Sequence, residues 1–129
     1  MDDLSIIAVL SSVVKTYAEE CGIDIAWENT GYKPTQGEKY LEVFYLPGEP
    51  VTGINGQVQN VGIYQININE AATQGRGAAL TTVTELRAAY GRTAVLSGTG
   101  RVAIKSMELG QPQDNGQWWT EILNISWLV

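Results

Sequence analysis

The chain has no histidine and a single cysteine, Cys21, among 129 residues. The first absence removes the commonest metal ligand and the commonest general base at neutral pH. The second excludes an intrachain disulfide and fits a reducing compartment. Charge is scarce as well: 17% of residues are charged, against a typical ~25%. A charge-poor surface points to partners that cover part of it. The 8 basic residues are scattered, and the net charge is −6. A nucleic-acid binder needs a basic stripe to displace counterions from phosphate, so that class is excluded. An acidic surface lets DNA pass without sticking, because like charges repel. No apolar run approaches the ~20 residues of a membrane span. The first charges are Asp2 and Asp3, not the basic flank of a signal peptide. The expectation is a soluble cytoplasmic protein.

What is present fits one domain, since domains cluster near about 100–150 residues. Residues 3–21 read as a helix capped by Asp2 or Asp3. Leu4, Ile7, Leu10, Val14, Tyr17, Ala18 and Cys21 follow helical spacing. Ile6, Val9 and Val13 add a second apolar side, so the helix is deeply buried or shared with a neighbour. Gly22 is placed to end it. Ile23, Ile25 and Trp27 alternate with polar or small residues, as in a short half-buried strand. Residues 29–39 read as a loop, 40–46 as a strand, and Pro47-Gly48-Glu49-Pro50 as a turn. Residues 57–69 read as a longer strand, with Tyr64, Ile66 and Ile68 on one face and Gln65, Asn67 and Asn69 on the other. A second helix spans about 78–90, with Ala79, Val83, Leu86 and Tyr90 on one stripe and Gly91 as its stop. A short strand at 94–96 and a turn at 97–100 follow. Strands at 101–109 and 117–128 flank the turn signal Asp114-Asn115-Gly116. Strands linked by hairpins, with helices set apart, predict an α+β fold: two helices packed on a mainly antiparallel sheet, in a single domain over 1–129.

Few constellations carry chemistry. Gly75-Arg76-Gly77-Ala78-Ala79-Leu80 resembles the start of a dinucleotide fingerprint, but Leu80 stands at the third glycine position. Gly98-Thr99-Gly100-Arg101 lacks the Lys-Ser/Thr pair of a phosphate loop. The acidic pairs Asp2/Asp3 and Glu19/Glu20 sit at helix ends, where capping and solvation explain them. Asp24 and Glu28 share a strand face without supporting residues. Cys21 has no histidine partner and reads as a small core residue. No enzyme is expected, and no cofactor or metal. The better candidates are contacts. Gln65 and Asn67 suit a wet protein–protein face. Trp118 and Trp119 are adjacent on a strand and point to opposite faces, so one lies off the main core. Trp118 is the candidate interface anchor.

The ordered set Ile25-Ala26-Trp27-Glu28-Asn29, Tyr32, Pro34, Gly37, Tyr40-Leu41, Leu46-Pro47 and Gly62-Ile63-Tyr64-Gln65-Ile66 carries a resemblance that covers nearly the whole chain. It continues through the Gly75/Gly77 loop to Ile125-Ser126-Trp127. The chain resembles the small tail-terminator-like proteins of long-tailed bacteriophages. It departs at Glu28, where a proline often stands in that family, and the stretch around Gly53 and Gly56 is variable there. The resemblance implies a virion protein at the head-proximal end of the tail. Such proteins act as hexameric rings that cap the tail tube, stop its polymerisation and dock to the head connector while DNA passes through. On that reading, Tyr32, Lys33 and Gln36 of the loop are candidate contacts to the tube or a neighbouring copy. The alternatives are another head–tail joining or tube subunit, or a small ligand-binding domain.

Overall fold

A computed structural model describes residues 2–28, 30–35, 37–53, 55–56, 58–91, 95–97 and 101–129. Helix α1 spans Asp3–Cys21, with the Asp2 carboxylate accepting from the Ser5 N–H. That hydrogen bond also holds the Asp2 carboxyl below its usual range. Gly22 closes the helix in the left-handed region at φ 67, its N–H reaching Ala18 O. The buried stripe is Ile6, Val9, Leu10, Val14, Tyr17 and Ala18. Three residues expected on it are not there, of which Ile7 is only half-buried. Leu4 lies on the opposite side of the wheel and is 78% exposed. Cys21 sits at the helix end and is exposed rather than core.

The strands are β1 (Asp24–Ala26), β2 (Tyr40–Pro47), β3 (Val51–Thr52), β4 (Val58–Gln59) and β5 (Val61–Ala71). A 3-10 turn, Ala72–Gln74, leads into helix α2, Arg76–Tyr90, which starts two residues before the position expected. Then come β6 (Val95–Ser97), β7 (Arg101–Leu109), β8 (Gln113–Asp114) and β9 (Trp118–Leu128). Ala94 and most of the turn expected at 97–100 lie outside the described residues. The main sheet runs β1-β2-β5-β9-β7-β6, with β8 also on β9. Every pairing is antiparallel except β1 on β2. The long strand expected at 57–69 divides at Asn60, which exchanges both backbone hydrogen bonds with Val129. β3 and β4 form a separate two-stranded arm.

Both helices cover one face of this sheet. α2 packs on β5 and β9; α1 packs on α2 and on β1, β6 and β7. The inward stripe of α2 is the expected one: Ala79, Val83, Leu86 and Tyr90 are all buried. They meet Leu41, Tyr64, Ile66, Ile68, Leu123, Ile125 and Trp127 in a single core. The Tyr90 hydroxyl donates to Leu10 O at 2.7 Å and ties the end of α2 to α1. The outcome is the expected α+β fold.

Candidate interaction surface

Strand alternation decides what the uncovered face of the sheet displays. On β2 it shows Tyr40, Glu42 and Phe44; on β5, Gln65, Asn67 and Asn69; on β9, Trp118, Thr120, Ile122 and Asn124. Register aligns these into rows. Phe44 faces Gln65, which faces Asn124, which faces Glu108 of β7. Glu42 faces Asn67, which faces Ile122. Tyr40 faces Asn69, which faces Thr120. The rows are amide-rich with apolar islands, and Glu42 and Glu108 are their only charges.

The amides are held in two separate sets of hydrogen bonds. Gln65 Nε2 donates to Asn67 Oδ1 at 2.9 Å. Asn69 Nδ2 donates to Glu42 Oε1 at 2.8 Å, and Thr120 Oγ1 donates to Asn69 Oδ1. Pre-ordered side chains lose less entropy when a partner binds. Gln65 and Asn67 are therefore where the sequence placed them, half-buried on the open face.

An aromatic corner closes the β1 end of this face. The Tyr32 hydroxyl donates to Asp24 Oδ2 at 3.0 Å, and its ring sits 5.5 Å from Tyr40. Tyr40 meets Trp118 edge-on at 5.0 Å and 88°, a favourable aromatic geometry. Trp118 thus lies off the main core, as its adjacency to Trp119 requires. It is only 6% exposed, however, because Tyr40 packs on it, so it is a support for the corner rather than a bare anchor. Tyr32 and Trp118 are brought together through Tyr40. Lys33 is exposed on the loop. Gln36 lies outside the described residues.

Charges that sequence reading did not single out are buried on the helix side, at the start of α2. Lys39 Nζ is 2.9 Å from Glu70 Oε2 and donates to Thr82 Oγ1 at 2.7 Å. Glu121 is fully buried; Arg76 Nε and Trp119 Nε1 both donate to its Oε1. The signal for Glu121 was a gap in the alternation Trp119, Leu123, Ile125, Trp127: position 121 falls on the buried face. Lys39 and Arg76 pair with these carboxylates from partly exposed positions, which fixes the corner between β5 and α2, while the buried Glu121 Oε2 has no hydrogen-bond partner among the described residues.

No group of three or more metal-ligating side chains occurs among the described residues. A cavity of about 200 Å³ lies between α1 and β2, lined by Ile7, Ser11, Trp27, Glu28, Val43, Tyr45 and Tyr64. It is below the ~300–1,000 Å³ of ordinary ligand pockets, and Ser11 and Tyr64 are already bonded to each other at 2.8 Å. No helix among the described residues is long and apolar enough to cross a membrane.

Residues 5–127 match the family of phage tail terminator proteins. A solved structure of 21% identity matches the fold at a TM-score of 0.82, over 100% of this chain and 96% of its own. No curated protein matches the sequence.

Proposed function

The chain belongs to the phage tail terminator family, a family of structural tail proteins, and we propose that it caps the head-proximal end of the tail tube as a hexameric ring. In that position it stops tube polymerisation and presents the surface to which the head connector docks. The observation that carries this reading is the open sheet face, where ordered amides and apolar islands have no covering layer among the described residues. Such a face suits a wet, specific protein contact.

Ring geometry supplies the mechanism. A head-to-tail interface closes into a ring when its rotation permits. One side of the ring imitates the next layer of the tube and binds the last one. The other side does not offer that layer's surface, so growth ends there. With a net charge of −6, the lumen repels DNA and lets it slide. No step requires catalysis or a cofactor. Ring and connector assembly take place in the host cytoplasm.

Light scattering across a concentration series tests the ring. A discrete hexamer with no longer species is expected. Open-ended polymers would make the chain a tube subunit instead. A strict monomer at every concentration would overturn the self-closing ring.

A further inference from the structure

The two flanks of the sheet are unequal. Beyond β1, the outer edge of β2 is blocked: the Glu28 carboxylate accepts the Tyr45 N–H, and Pro47 has no N–H to give. On the opposite flank β6 pairs only with Arg101 to Ala103. Beyond the reach of that pairing and of the residues just before β6, residues 107–109 of β7 have β9 on one side and, among the described residues, no strand on the other. Among the described residues, then, one flank is blocked and the other is open.

Apart from Leu4 on α1, the large hydrophobic residues exposed among the described residues follow the same division. Leu46, Val51, Val58 and Ile63 lie on the β3–β4 arm and the strand ends that carry it. Leu109 lies on the open edge of β7. Between residues 43 and 69 there is a single charged residue, Glu49. An arm this poor in charge, with its apolar side chains in water, is unfinished as a monomer surface.

We propose that the β3–β4 arm of one copy adds to the open β7 edge of the next copy, and that this contact closes the ring. The inference rests on the ring reading and specifies which surfaces make it. A second copy is the occupant because a head-to-tail ring needs two different, complementary surfaces on each subunit. This chain has one of each: a strand donor that grows from the blocked side of the sheet, and a strand acceptor on the other side. Backbone pairing gives the affinity; Val51 and Val58 lie on opposite faces of the arm, so one of them meets Leu109 and sets the register.

The test uses the full chain in a Cys21→Ser background, which removes the exposed native thiol. One variant carries Thr52→Cys and another Glu108→Cys, and the two are mixed and treated with a short bismaleimide. A covalent dimer is expected in the mixture, and only there as the dominant product. In parallel, Val51→Asp with Val58→Asp, at exposed positions, is expected to leave the melting temperature unchanged. It weakens assembly by at least about tenfold. A parent that forms the ring without the 52–108 cross-link, or a double Asp variant that assembles normally, overturns the pairing and leaves the ring reading intact. A parent that stays monomeric by light scattering overturns the ring reading and the pairing with it.

Discussion

Replacing Gly62 by alanine destabilises the fold through contacts that nothing nearby can relieve. Gly62 sits on β5 directly opposite Trp127 of β9. A Cβ there would lie 2.5 Å from Trp127 Cζ2 and 2.7 Å from Leu46 O. The second neighbour is backbone held in the β2–β5 ladder. The first belongs to an indole that is 1% exposed and stacked on Tyr45 at 5.6 Å. Overpacking of this kind costs about 1–3 kcal/mol. The stiffer unfolded chain returns about 0.4–1 kcal/mol. The net expectation is a loss of about 1.3 kcal/mol, which lowers the melting temperature by roughly 5 °C for a chain of this size. Urea unfolding followed by tryptophan fluorescence measures it, with an unchanged m-value. Trp127→Phe in the same chain shortens the ring, so the double variant loses about 1 kcal/mol less than the sum of the singles. It does not recover fully, because Leu46 O remains. A Gly62→Ala variant as stable as the parent would refute the reasoning.

Gly77→Ala has the opposite sign, since its Cβ meets nothing within 4 Å and the residue lies in α2; the same urea titration should show a gain of about 0.5 kcal/mol. Arg76→Ala leaves the buried Glu121 carboxylate with only the Trp119 N–H, and costs about 2 kcal/mol at pH 7 because Arg76 is itself half-exposed. The same urea titration at pH 7 reads that loss. Burial pushes the Tyr64 hydroxyl up to about 12 and raises Tyr90, Tyr17 and Tyr45 as well. The folded state thus keeps protons that the unfolded chain gives up near pH 10, so stability is flat below that pH and falls above it. The deeply buried Tyr64 and Tyr90 each contribute a slope of up to about 1.4 kcal/mol per pH unit, and the more exposed Tyr17 and Tyr45 less. Chemical denaturation at pH 9 and 11 reads this, and equal midpoints would contradict it.

Much of the fold was legible where one period dominates. The α2 stripe and the alternation of Tyr64, Ile66 and Ile68 were readable because each side chain has one face to choose. The caps at Asp2, Gly22 and Gly91 were readable because their chemistry is local. The parallel pairing of β1 with β2 was not. It joins three residues to a strand across a segment that reads as loop, and nothing local encodes that register. Leu4 and Cys21 were misplaced because α1 is apolar on two sides, which leaves its phase undetermined by sequence. The role of Gly62 needs the register with Trp127. Of the surface, Gln65 and Asn67 were found by alternation. Phe44, Ile122 and Asn124 were missed, since the face they share exists only once β2, β5 and β9 are aligned. Trp118 was placed on the correct side, but its cover, Tyr40, comes from a distant strand. Glu28 was read only as an acidic strand residue, and its bond to the Tyr45 N–H needs the fold to bring the two together.

The central claim is that this chain ends tube growth. The direct test is to polymerise the purified tube protein of the same phage with and without an equimolar amount of this chain, and to measure tube lengths by electron microscopy. Short tubes with added density at one end only are expected. Tubes of unchanged length with bare ends, or the chain incorporated along the whole tube, would contradict it.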